Sequence, residues 1–273
     1  MQVYDSTERQ IPVVSQLQEI YKHRSLLRLL IIRDLTVRYK RSVLGVGWSL
    51  LNPILTTTVM FYVFNTVFMR GLQNRETFLP YLFAGVLMST FFNQGVNFAA
   101  DAISGGAGLL NKVYVRPEIF AMSGTISSAI NFLFGLIPLT IVVLTMHRSL
   151  GLRAILIIPI IFFMILLTTG LGLMFAIAYL EFDDARHLIQ VFLMLLTYMT
   201  PVFYSLSALG PNTQKVISKN PLTSFLNVFR ESWGNTFNGT INDWVYLGSF
   251  STIVFVLGFY LFAKWWPKGV TKL

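Results

Sequence analysis

Six stretches of the chain run for 20 to 28 residues without a single Asp, Glu, Lys, Arg or His: 42–69, 77–100, 119–146, 154–180, 188–214 and 244–263. A hydrocarbon core about 30 Å thick takes roughly 20 helical residues to cross, and a charge at its centre costs about 3 kcal/mol on insertion scales. Each run is therefore a candidate transmembrane helix, and the solvent for most of this polypeptide is lipid. At 273 residues, 54% hydrophobic, 12% charged and with a mean hydropathy of +0.63, the chain has little left for a soluble domain. The expected fold class is an all-α integral membrane protein: helices over 1–41, then six transmembrane helices over 42–273. The polar Met1–Gln10 lacks the pattern of a cleaved signal peptide, so the first run is expected to be an uncleaved anchor. With no cysteine, disulfides, thiolate metal sites and cysteine nucleophiles are excluded.

Charge sets the expected topology. Even spacing of six spans puts both termini on one side, and that side holds 14 of the 21 Lys and Arg. Eight of the 14 precede the first run, where the positive-inside rule weights them most, so both termini are expected to be cytoplasmic in a multi-pass protein. A net charge of +9 accordingly reads as a membrane signal, and no nucleic-acid partner is expected.

Outside the spans four segments stand out. Residues 13–23 place Val13, Val14, Leu17, Ile20 and Tyr21 on one helical face, the pattern of an amphipathic helix on the inner leaflet or against a partner. Ser25 is positioned to cap a second helix, 26–41, whose end is strongly basic. The segment about 103–117 carries a short apolar helix flanked by glycines and Pro117; a re-entering elbow and a docking element for a cytoplasmic partner both fit it. On the far side, about 205–242, Asn220-Pro221 opens a helix with Leu222, Phe225, Leu226, Phe229 and Trp233 on one face and Arg230 largely off it. It is expected to re-enter the outer leaflet before the sixth span. Pro53, Pro138, Pro159 and Pro201 are expected to kink their spans.

The absences also inform. No ionisable side chain lies mid-span, which argues against ion-coupled carriers and voltage sensors. Around Gly106–Val113 the chain has Asn111 where a phosphate-binding loop needs glycine, and Val113 where it needs a hydroxyl, so no nucleotide site is expected. Asp183 and His187 lie a helical turn apart, but nothing completes a metal site with them, and Gly170-Leu171-Gly172 reads as helix packing. No catalytic residues are expected. Tyr62, Phe64, Phe68, Phe92, Tyr198 and Tyr204 are helix-packing or lipid-facing aromatics on the plain reading, and candidates to line a conduit on the sharper one, since aromatic faces let a sugar polymer slide.

The run Arg33-Asp34-Leu35-Thr36-Val37-Arg38-Tyr39-Lys40-Arg41-Ser42-Val43-Leu44-Gly45-Val46-Gly47-Trp48, followed by Asn52-Pro53, resembles the RDxxxRYKxSxLGxxW…P signature of ABC-2 type polysaccharide-export permeases. That family includes the O-antigen (Wzm) and wall teichoic acid (TarG/TagG) translocation permeases. The resemblance implies a homodimer working with two copies of a separate ATPase subunit, which would carry the ATP and Mg²⁺; this chain would need no cofactor. It implies that Arg33, Asp34, Arg38, Tyr39 and Lys40 form a cytoplasmic gate where lipid-linked phosphate loads. It further implies that Lys112, Val113, Tyr114 and Arg116 lie in the helix that couples to the ATPase, although Val115-Arg116-Pro117 departs from the Phe-Pro often found there.

The expected function is the membrane subunit of an ATP-driven exporter of an undecaprenyl-diphosphate-linked polysaccharide across the bacterial plasma membrane, with lipid and glycopolymer as its other contacts. Outer-side basic residues outnumber acidic ones seven to three, which leans toward an anionic polymer. The alternatives are a self-contained channel or lipid scramblase without ATP coupling, and an interfacial enzyme on polyprenyl phosphates.

Overall fold

In lipid a backbone amide has no water to turn to, so an uncharged run must satisfy its hydrogen bonds internally, and these runs do so as helices. The computed structural model describes residues 20–40, 42, 44–45, 47–68, 75–106, 108, 115–146, 151–182, 184–233 and 239–269. Among the described residues there is no strand, and nine α-helices follow in order: α1 (Arg24–Tyr39), α2 (Gly47–Val63), α3 (Arg75–Gly105), α4 (Glu118–Thr145), α5 (Ile157–Glu181), α6 (Ala185–Met199), α7 (Pro211–Ile217), α8 (Pro221–Ser232) and α9 (Ile241–Gly269).

By length and composition, three stretches among the described residues are apolar enough to cross a membrane: Glu118–Thr145, Leu152–Glu181 and Ile241–Pro267. The other three runs are less uniform, each for a physical reason. Helix α2 passes directly into a π-helical turn, Phe64–Phe68, that completes the first run. Helix α3 has 31 residues, but Asn93, Gln94 and Asn97 dilute its hydropathy. It can carry them because α4 and α5 pack along it and shield it from lipid. The run 188–214 is not one helix. Helix α6 has 15 residues, about 22 Å at 1.5 Å per residue, and stops at Met199 because Pro201 disfavours helix at Thr200. The run continues through a 3-10 turn, Leu206–Ala208, into α7.

Two other expectations shift. Ser25 lies inside α1, whose N-cap is His23. Pro159 sits in the first turn of α5, where its missing N–H costs nothing, whereas Pro53, Pro80 and Pro138 lie inside helices. Most of the amphipathic segment 13–23 lies outside the described residues.

The core is built on α3, α4, α5 and α9, with α2 against α3 and α4, and α1 across α4. Small residues set the approach of α5 to α9. A Cβ on Gly258 would collide with the backbone of Gly170, and one on Gly170 would meet the Val254 carbonyl at 2.5 Å. Helix association in lipid rests on such close packing, since lipid tails are as apolar as leucine. At one end of the bundle α1 covers a cluster containing Leu30, Ile103, Phe120, Leu173 and Phe259. At the other end α8 packs on α3, α5 and α9, and its buried Phe225, Phe229 and Trp233 join the larger cluster. Asn220 caps α8 as its sequence announced, its side-chain oxygen accepting from the Leu222 N–H at 3.1 Å.

Candidate functional site

The signature stretch begins as α1 and ends as a turn. Lys40 is extended, and Gly45 takes a φ of +51°, a left-handed conformation that glycine adopts without strain. The Gly45 N–H donates to Ser42 Oγ at 3.2 Å, and the Gly47 N–H donates to the Leu44 carbonyl at 2.8 Å. Gly45 thus marks a turn, and Arg38 of α1 and Trp48 of α2, on either side of it, line one cavity.

The gate candidates divide between two jobs. Asp34 accepts from the Arg33 Nε and guanidinium nitrogens at 3.0 and 2.7 Å, and its second oxygen accepts from Ser123 Oγ at 3.0 Å. Arg33 also lies over the Phe120 ring at 6.0 Å. The pair therefore pins α1 to the start of α4. Arg38 is exposed and lies 3.6 Å from the centre of the Phe98 ring on α3. Lys40 is exposed beyond the helix end, and Tyr39 belongs to α1 with its side chain outside the described residues.

Below Arg38 a half-open cavity of about 220 Å³ lies between α2, α3 and α4. Its polar lining is Ser49, Asn52, Thr90, Gln94, Ser128 and Asn131, and Trp48, Phe91, Phe98 and Phe132 add aromatic faces. A pocket that joins amide and hydroxyl groups to aromatic rings under a cation suits a polar headgroup carrying negative charge. Sequence reading reached Arg38, Trp48 and Asn52 but missed Gln94, Ser128 and Asn131. Their signal was present as amides and hydroxyls at helical spacing inside uncharged runs, and a search for ionisable residues alone passes over them.

The conduit candidates are not brought to one surface. Tyr62 and Tyr198 are 70% and 62% exposed, whereas Phe92 is 1% exposed and belongs to the core. Phe64 stacks on Phe203 with centroids 6.0 Å apart, and the Tyr204 hydroxyl donates to the Tyr198 carbonyl at 3.2 Å. Phe68 closes the π-helical turn, its side chain outside the described residues. Tyr62 shares an exposed stripe of α2 with Thr58, continued by Thr66 in the π-helical turn, and Tyr198 shares one of α6 with Gln190 and Met194. Of the coupling candidates, Arg116 is half-buried just before α4, while Lys112, Val113 and Tyr114 lie outside the described residues.

Arg230 corrects the face assigned to α8. It is 2% exposed, turned inward with the apolar residues. Its guanidinium donates to the carbonyls of Tyr81 (3.2 and 3.3 Å), Pro201 (3.0 Å) and Val202 (3.2 Å), over a Tyr81 ring 3.3 Å away. Room for it exists because residue 85 is glycine: a Cβ there would stand 2.9 Å from the guanidinium. Burial pulls its pKa down to about 10, against the influence of Tyr81, so it remains a cation at neutral pH.

The family model described as ABC-2 type transporter matches residues 25–233. An O-antigen export system permease protein of Myxococcus xanthus is 31% identical over 222 residues, 80% of this chain and 84% of that protein. A protein of the same description from Klebsiella pneumoniae is 27% identical over 244 residues, 88% of this chain and 91% of its own length. A polysialic acid transport protein of Escherichia coli is 21% identical over 237 residues, 85% and 90% of the two chains.

Proposed function

The chain belongs to the ABC-2 type transporter family, and from that premise we propose that it is the permease subunit of an exporter that moves a lipid-linked polysaccharide across the bacterial plasma membrane. What carries the reading is the extent of the relatives named for O-antigen export, which run alongside 80% and 88% of the chain. Those names favour an O-antigen-type polymer over wall teichoic acid.

The working unit is a homodimer with two copies of an ATPase subunit, oriented with the α1 end and both termini in the cytoplasm. The basic residues before the first run support that orientation. The carrier lipid is of the undecaprenyl diphosphate class; its phosphate meets Arg38, and the first sugar enters the cavity below, whose mixed aromatic and amide lining supports the assignment. The segment about 103–117 is the coupling element to the ATPase, and α8 is the re-entrant element that frames the exit. The polymer path runs between the two protomers along the exposed stripes of α2 and α6. Polar Thr58, Thr66 and Gln190 on outward faces support this, since such groups are better placed beside a hydrated path than against lipid tails.

The test is extraction of the tagged chain in mild detergent, together with depletion in cells. Stoichiometric recovery of a nucleotide-binding subunit and loss of a surface glycan are expected. Recovery of the chain alone, with lipid movement in vesicles that contain nothing else, would instead make it a self-contained channel or scramblase.

A further inference from the structure

Helix α6 is attached to the bundle very unevenly. Among the described residues its main helical neighbour is α5, and it buries only a narrow edge, Ala185, Ile189 and Leu193. Leu188, Val191, Phe192, Met194, Leu195, Tyr198 and Met199 stay 45–71% exposed. Its ties to α3 are polar and lie at three levels. Near the α1 end, Arg186 pairs with Asp101 at 3.5 Å, with both side chains 51% exposed. In the last turn of α6, close to Thr200, Asn93 Nδ2 donates to Thr197 Oγ1 at 2.9 Å.

The third tie is of another kind. Directly beyond Thr200, Arg230 holds the carbonyls of Pro201 and Val202, and the Tyr81 hydroxyl donates to the carbonyls of Pro201 at 3.1 Å and Tyr204 at 2.6 Å. Asn220 Nδ2, at the cap of α8, donates to Thr200 Oγ1 at 3.0 Å. These bonds are mostly buried, and those from Arg230 are charge-assisted. A water-excluded, charge-assisted bond resists opening far better than a solvated ion pair. The backbone leaves the helix at Thr200-Pro201, so rotation there opens at most the cap bond from the Thr200 N–H to the Thr197 carbonyl.

We infer that Arg230 is a positioning residue that fixes the α8 end of α6 as a pivot, and that α6 swings about Thr200-Pro201 by releasing its Asp101–Arg186 end. This rests on the exporter reading, in which the Gln190, Met194 and Tyr198 stripe of α6 borders the polymer path. The swing would then widen the path at the cytoplasmic side while the outer framing stays fixed.

The chain has no cysteine, so introduced thiols are the only ones present. Asp101→Cys with Arg186→Cys locks the mobile end when bridged by a short bis-maleimide linker, whose thioether bonds survive the reducing cytoplasm; Thr200→Cys with Asn220→Cys locks the pivot in the same way. In cells, surface glycan is expected to fall to about a tenth or less with the first lock, because a conformational step gates turnover, and to stay normal when the same chain is treated with a monofunctional maleimide. The second lock is expected to leave export unchanged. A third arm places the second lock in an Arg230→Lys chain: export lost on the substitution should return on bridging. Normal export with the first lock, lost export with the second, or failure of the bridge to rescue a membrane-inserted Arg230→Lys chain would each overturn the pivot. The exporter reading fails separately, if depletion of the unmodified chain leaves surface glycan intact.

Discussion

The guanidinium carbon of Arg230 stands 3.3 Å from the centre of the Tyr81 ring while the same group donates to the Tyr81 carbonyl. One side chain of α8 thereby holds the ring and the carbonyl of a residue on α3 and two carbonyls just beyond the end of α6. Arg230→Met would orphan the buried Val202 carbonyl and leave Pro201 only its bond from the Tyr81 hydroxyl, at about 1–3 kcal/mol for the unsatisfied group, less what is regained by no longer burying a charge. A loss of about 1–2 kcal/mol is expected in thermal unfolding of the purified protein in detergent. Tyr81→Phe removes only the hydroxyl and is expected to cost about 1 kcal/mol, because Pro201 keeps its bond from Arg230.

Arg33 and Arg38 share a motif but should fail differently. Because Arg33 is bonded to Asp34, and Asp34 to Ser123, Arg33→Ala and Ser123→Ala are expected to loosen α1 from α4. Faster proteolysis within 20–40 would report it. Arg38→Ala should leave proteolysis unchanged and weaken binding of polyprenyl phosphate in nanodiscs by about tenfold or more, since a hydrogen bond to a charged group is worth about 1.5–3 kcal/mol. Equal phosphate affinity in Arg38→Ala and the parent would remove Arg38 from the gate.

The cavity makes its own prediction. Gln94→Leu and Asn131→Leu fill it with apolar bulk without touching Arg38. Both are expected to weaken binding of a sugar-bearing polyprenyl diphosphate while leaving bare polyprenyl phosphate unaffected, measured by the fluorescence of Trp48, which lines the cavity, in a chain whose other tryptophans are replaced by Phe. Identical losses for the two lipids would mean that no sugar enters.

Among the aromatics, stability separates core from path. Phe92→Ala removes a buried ring and is expected to cost about 3–5 kcal/mol. Tyr62→Ala and Tyr198→Ala, on exposed stripes, should leave the melting temperature within a degree or two while reducing polymer export. Unaltered export in both would take them off the polymer path.

At the α5–α9 crossing, Gly170→Val places a branched side chain against the Val254 carbonyl. Overpacking of this kind costs about 1–3 kcal/mol or more, and the variant is expected to accumulate poorly and melt early. Normal yield and melting would mean that the two helices separate easily.

The features legible in the sequence are those set by neighbours along the chain. The apolar runs and the Asn220 cap depend on local charge and local hydrogen bonding, and both are found in the fold, whereas Pro201, expected to kink a continuous span, ends α6 at Met199. The motif from Arg33 to Trp48 gave the family, although the role of its Ser42 and Gly45, a turn between two residues of one cavity lining, Arg38 and Trp48, appears only in three dimensions. The face of α8 was read from its apolar residues alone, and Arg230, placed off that face, proved to be among the most deeply buried side chains.

By itself, then, the sequence determined that lipid is the solvent, where most of the helices form and which family's motif they carry. The tertiary structure decided which side of each helix is interior: Phe92 inside and Tyr62 outside, Arg33 paired and Arg38 at the cavity, Arg230 turned inward. The reason is the solvent. In water, hydrophobicity marks the inner face of a helix, but lipid accepts an apolar side chain as readily as a protein core does. The inner face is then set by close packing and by where buried polar groups find partners, and both are properties of the folded bundle.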